Sequence, residues 1–309
     1  MKKHILTILT VSALAAASIT ACGAKSAETS AAASSEAASE AASSETASEA
    51  ASSEAGSEAA SSAAAAEATG EYQYVSPADA VKAAAAGDTH VVDVRTWEDY
   101  TKGRIADSEF CPIFPLEDES LVDSMTEYTK ANLNDGKKIY IVCNSGKRGA
   151  EKATGVMIAA GIDPSLIYTV EGGAKALANE KGALTTDRTA EKIDWQYVSG
   201  KDAIAADEAG TAQIVDVRDD DTYAKGHLKD SLQVNLKATD DPAAQTAMYD
   251  LAAEKLDKTK PVYLLCYSGN KCAKTAISVL KDAGFDTKNL FIIENGAKDA
   301  DVSAAFVTE

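Results

Sequence analysis

The sequence predicts an α/β protein: two tandem domains, each a parallel sheet flanked by helices, after a signal peptide and a disordered tether. Three observations predict it. The chain repeats itself at an offset of 123 residues, without a gap, from Tyr72/Trp195 to Gly173/Gly296. Roughly one aligned position in three is identical, so this is a duplicated domain. Within each copy, short apolar runs alternate with helical stretches, the pattern of a parallel α/β sheet. Everything before residue 71 lacks that pattern. The expected boundaries are 1–21 for the signal peptide, 22–70 for the tether, 71–188 for the first domain and 189–309 for the second.

The amino terminus reads as an address. Lys2 and Lys3 precede an apolar run from Ile5 to Ala16, too short for a confident spanning helix. Ile19-Thr20-Ala21-Cys22 resembles the cleavage box of bacterial lipoproteins. That resemblance implies a mature chain starting at Cys22, with acyl chains that anchor it to the outer face of a cell membrane. The stretch from Gly23 to Gly70 is almost only Ala, Ser and Glu. It has no aromatic side chain and no aliphatic one larger than alanine, so it buries too little apolar surface to offset ordering entropy. As a coil it spans roughly 35–40 Å root-mean-square. The net charge of −18 argues against nucleic acid and against direct binding to an anionic bilayer.

In the first copy the strand-like runs fall near Gln73-Val75, His90-Val94, Glu109-Ile113, Lys138-Val142 and Leu166-Val170. Pro77 to Ala86, Glu117 to Leu133 and Gly149 to Ala160 read as helices between them. The chain is organised around Cys143-Asn144-Ser145-Gly146-Lys147-Arg148-Gly149. A cysteine stands at the carboxyl end of a strand, where open α/β sheets bind ligands. A polar loop then leads into a helix amino terminus, where free N–H groups and the positive end of the helix dipole converge. Such a place favours an anion, and a thiolate is one. Arg148 adds a fixed positive charge for an anionic substrate. The repeat carries Cys266-Tyr267-Ser268-Gly269-Asn270-Lys271-Cys272 at the same point.

Further residues carry a family resemblance. Asp93-Val94-Arg95, Glu98, Tyr100 and Gly103-Arg104-Ile105 resemble the first signature of the rhodaneses, the sulfurtransferases. Asp216-Val217-Arg218, Tyr223 and Gly226-His227-Leu228 resemble it more closely, because the family usually has Gly-His-Ile there. Cysteine, four residues, then Arg148 resembles the rhodanese active-site loop, and Glu171-Gly172-Gly173 the turn after the last strand. The resemblance covers nearly everything after residue 70. It implies sulfur transfer by double displacement, with Cys143, and in the repeat Cys266, as catalytic nucleophiles. Cys143 takes the outer sulfur of a small anionic donor such as thiosulfate and becomes a persulfide. Cyanide or a cellular thiol then accepts the sulfur. Asn144, Ser145, Gly146, Lys147 and Arg148 hold the donor and ring the persulfide. None of the chain's three histidines lies in the loop, and a soft, ionised nucleophile needs no general base. No cofactor and no metal are expected.

The second copy departs from the pattern. Lys271 replaces Arg148, keeping the charge but losing the planar fork. Asn295 replaces Gly172, and Cys272 stands where the first copy has Gly149. Cys272 is a candidate resolving thiol for Cys266, or a small residue filling the helix start. Two rival functions stay open. One is a phosphatase or arsenate reductase of the same fold, whose family pattern has five residues between cysteine and arginine. The other is a non-enzymatic module that binds sulfide, persulfide or a partner protein.

Overall fold

A computed structural model describes residues 72–308. The segments read from the sequence as a signal peptide and a tether, Cys22 among them, lie outside the described residues. Among the described residues, no helix is long and apolar enough to cross a membrane.

The first domain begins with β1 (Gln73–Val75) and α1 (Pro77–Ala86). Ser76 caps α1 by accepting from the Asp79 amide, Pro77 presets its first turn, and Gly87 ends it in the left-handed region. Then come β2 (Thr89–Asp93), α2 (Trp97–Thr101), β3 (Glu109–Phe110) and α3 (Glu119–Tyr128), which runs on as a π-helical turn to Leu133. The domain closes with β4 (Lys138–Val142), α4 (Arg148–Ala159), β5 (Ile167–Val170) and α5 (Gly173–Leu177). The sheet order is β1-β5-β4-β2-β3, all parallel, so β4 sits at the centre. A strand buried on both faces needs a continuous apolar run, which is why Ile139, Ile141 and Val142 are all buried.

The second domain repeats this. It contains β6 (Gln196–Val198), α6 (Gly200–Ala209), β7 (Gln213–Asp216), α7 (Asp220–Ala224) and β8 (Leu232–Gln233). It continues with α8 (Pro242–Lys255), β9 (Val262–Leu265), α9 (Lys271–Asp282), β10 (Leu290–Ile293) and α10 (Ala300–Ala304). Its sheet order is β6-β10-β9-β7-β8.

The parallel two-domain architecture agrees with the sequence pattern, and the differences are local. The run Glu109-Ile113 pairs regularly only as far as Phe110, since Pro112 has no N–H for the ladder. The amides of Cys111 and Ile113 still donate to the carbonyls of Asp93 and Val94. Helices α2 and α5 were not legible, because five residues are too few to show a helical period.

The two domains pack together within one compact unit. Trp97 of α2 stacks on Tyr249 of α8 with ring centroids 4.0 Å apart. Its indole N–H donates to Thr246 at 3.1 Å. Beside it lies a buried charged network. Arg104 pairs with Glu191 of the connecting segment, and Arg188 pairs with Asp282 at 2.6 Å. The side chains of all four are at most 1% exposed. Arg188 also donates to Gln245 and Ser278, and its guanidinium lies over the Trp97 and Tyr100 rings.

At the amino end of β2, His90 bridges two carboxylates. Nδ1 is 2.6 Å from Glu109 and Nε2 is 3.2 Å from Asp135. The Glu109 hydrogen bond raises the His90 pKa, more than burial opposes it. A raised folded pKa contributes stability below the unfolded value, lost as pH rises through the folded one. His90→Gln is therefore expected to lower the melting temperature at about pH 5.5 and to cost much less at about pH 9. An equal loss at both, read by thermal unfolding, would show that the charge on His90 contributes nothing.

Candidate active site

The loop from Cys143 to Gly149 joins β4 to α4, so strand and helix fix its two ends. Cys143 is 2% exposed at the carboxyl end of β4. The turn after β5 clamps the loop: the Ala174 amide donates to the Cys143 carbonyl at 2.8 Å, and the Lys175 amide to Asn144 at 3.2 Å. Glycine is required twice. Gly146 has φ +65°, and a Cβ there would come 2.8 Å from the Val170 carbonyl. Gly173 has φ +59°, and a Cβ there would collide with the Cys143 carbonyl. Lys147 and Arg148, at the start of α4, are exposed. Gly149 is buried, with the Phe114 ring against the place where a side chain would begin.

The first-signature residues act as a brace. Arg95 bonds Asp93 through Nε and Nη2, the latter at 2.6 Å. It also donates to the carbonyls of Asp99 and Gly103. Asp99 in turn accepts from the Asn144 side chain at 3.2 Å. The end of β2 is thus tied through α2 to the cysteine loop. Asn144, read from the sequence as a donor-binding residue, has its side chain engaged in that tie.

The second loop has the same backbone. Gly269 has φ +65° and Gly296 φ +53°, and the Ala297 amide donates to the Cys266 carbonyl at 2.8 Å. Asn295 adopts the left-handed conformation of Gly172, φ +61° against +69°, which asparagine tolerates. The Asn270 amide points at the Cys266 sulfur, 3.3 Å away. Exposed Lys271 opens α9 as Arg148 opens α4.

The surroundings differ. Tyr267 stands at the position of Asn144, and its hydroxyl donates to Asp219, the residue that caps α7. This hydrogen bond, with a second from Thr222, holds Asp219 far below the usual carboxylate range. Burial and then Asp219 push the Tyr267 hydroxyl up to about 12. Lys237, at the position of Phe114, reaches Asp219 at 3.4 Å. Sequence reasoning missed Asp99, Phe114, Lys237 and Asp219. The fixed offset of 123 aligns Phe114 with Lys237, and that contrast was the available signal.

Cys111 is not part of either loop. Burial, then Glu109, pushes its thiol up to about 12, which suits an inert core residue. Cys272 is buried on the first turn of α9 and shares a core cluster with Cys266.

No curated protein matches the chain. Among solved structures it is similar to SseA of Escherichia coli, titled a 3-mercaptopyruvate sulfotransferase, at 15% identity over 73% of this chain and 99% of that one, with a TM-score of 0.30. It is similar to thiosulfate sulfurtransferase from Pseudomonas aeruginosa at 15% identity, over 76% of this chain and 43% of that one, with a TM-score of 0.35. An As-Sb reductase from Leishmania major is similar at 17% identity over 38% of this chain and 87% of that one, with a TM-score of 0.32. The rhodanese-like domain family matches twice, over residues 76–180 and 199–300. Two copies of one cysteine loop, on two sheets of one strand order and covering most of the chain, place this protein in the rhodanese family.

Proposed function

We propose that the protein is a thiosulfate-type sulfurtransferase working through Cys143. The observation that carries this is the loop itself: a buried thiol at the end of β4, four residues, then exposed Arg148 on the first turn of α4. The Cys143 thiolate attacks the outer sulfur of thiosulfate. A new S–S bond forms, the donor's S–S bond breaks, and sulfite leaves. Cyanide, or a thiol in the cell, then attacks the outer sulfur of the persulfide and carries it away, restoring the thiolate. The helix start favours the anionic states on this path. Four residues between Cys143 and Arg148 make a ring suited to one sulfur. The reading also puts the enzyme outside the cytoplasm on a lipid anchor at Cys22, a proposal that rests on the amino-terminal sequence.

The test is thiosulfate–cyanide turnover beside hydrolysis of an aryl phosphate. Thiocyanate formation without phosphate release is expected, and the reverse would overturn the reading. Arg148→Lys is expected to raise the thiosulfate KM roughly three- to tenfold, with a smaller change in kcat, because a point charge replaces a bidentate fork. An unchanged KM would remove Arg148 from the donor site.

A further inference from the structure

The two loops share a backbone but differ at one pair of positions. In the first, Gly149 leaves room for the Phe114 ring. In the second, Lys237 replaces the ring and turns toward Asp219, and Cys272 takes the glycine's place. The direction of the side chain at this position is known from the first loop. A Cβ built on Gly149 lies 3.3 Å from the Cβ of Cys143. The second loop matches the first closely. A Cβ on Gly146 would meet the carbonyl of the last strand at 2.8 Å, and one on Gly269 at 2.7 Å. A Cβ on Gly173 would meet the Ser145 amide at 2.8 Å, and its counterpart on Gly296 the Ser268 amide at 2.9 Å. By this likeness the Cβ of Cys272 falls beside that of Cys266, close to the roughly 3.5–4.5 Å that a disulfide spans between Cβ atoms, and both are free thiols in the structure. The two side chains pack in one buried cluster. The Cys272 thiol is pushed up to about 11, by burial first and then by Cys266, so its proton has to pass to the departing sulfur as the Cys272 sulfur attacks.

We infer that the second loop is a dithiol site that reduces sulfane sulfur to hydrosulfide. The step borrows from the proposed function only the capture of sulfur by a thiolate. Cys266 attacks the outer sulfur of thiosulfate, forms a persulfide and releases sulfite. The Cys272 sulfur then attacks the inner sulfur of that persulfide. The S–S bond between Cys266 and the transferred sulfur breaks, and a bond between the Cys266 and Cys272 sulfurs forms. The transferred sulfur leaves with the bonding pair and the Cys272 proton, as hydrosulfide. The two thiols lose two electrons and the sulfane sulfur gains them. An external dithiol reductant reopens the disulfide for the next round. The first loop has no second thiol, so it holds its persulfide for an acceptor, while the second discharges its own.

The experiment uses the full chain carrying Cys143→Ser, reduced, freed of reductant and mixed with thiosulfate. One sulfite and one hydrosulfide per chain are expected, with Cys266 and Cys272 linked in a non-reducing peptide map. Adding Cys272→Ser should leave sulfite release intact, stop hydrosulfide release and leave one extra sulfur on Cys266. Sulfite without hydrosulfide from the Cys143→Ser chain, with Cys272 a free thiol, would overturn the inference. So would no sulfite from that chain while the wild type still loads Cys143, an outcome that leaves the proposed function standing. Equilibration in a dithiothreitol redox buffer, with no sulfur donor, reads the dithiol alone. A linked pair is expected, and two free thiols in fully oxidised buffer would overturn it.

Discussion

Cys143→Ser is expected to reduce thiosulfate–cyanide turnover by roughly a thousandfold or more. A serine hydroxyl does not ionise near neutral pH, and the loop places no base beside it. Oxygen also forms no stable counterpart of a persulfide, so the double displacement loses its intermediate. Stability should fall little by comparison. The side chain is 2% exposed, and a serine there leaves one buried hydroxyl needing a partner, a cost of about 1–3 kcal/mol. Near-normal circular dichroism beside lost turnover is therefore the expected result. Cys266→Ser should retain much of the cyanide turnover. If Cys266→Ser alone abolishes it and Cys143→Ser does not, the main site has been assigned to the wrong domain.

Glu191→Ala is expected to destabilise the protein by about 3–5 kcal/mol, a large share of the stability of an ordinary domain. Glu191 faces Arg104, with both side chains at most 1% exposed, and also accepts from Ser278 and Lys281. Without it the Arg104 guanidinium keeps the Tyr100 ring and two long hydrogen bonds, to the carbonyls of Thr185 and Asp187 at 3.3 and 3.4 Å, and its Nε already has no partner. An uncompensated buried charge is what makes this loss larger than that of a surface pair. Denaturant unfolding measures it. A double variant, Arg104→Met with Glu191→Met, should recover much of the loss, because removing both charges removes the stranded one. A midpoint unmoved by Glu191→Ala would show that the pair is solvated.

Sequence alone determined the duplication, the parallel sheet and the position of the cysteine loop, because each leaves a local trace. Apolar runs such as Ile139-Tyr140-Ile141-Val142 mark buried strands without reference to partners. Gly146 and Gly173 mark turns whose backbone admits no Cβ. Arg104 shows where this kind of reading stops. Beside its motif it looked like a substitute for the histidine that the second copy keeps as His227. In the structure both lie against the tyrosine of their motif, His227 on Tyr223 at 4.0 Å and Arg104 over Tyr100 at 5.6 Å, but Arg104 also crosses to Glu191, 87 residues along the chain. The tie from Asp99 to Asn144, and what Phe114 and Lys237 each touch beside the loops, were likewise decided only in three dimensions. A strand or tight turn is specified by residues next to one another in sequence. An ion pair, a ring over a glycine or two thiols across a loop is specified by distance in space, which the chain acquires only when its layers pack.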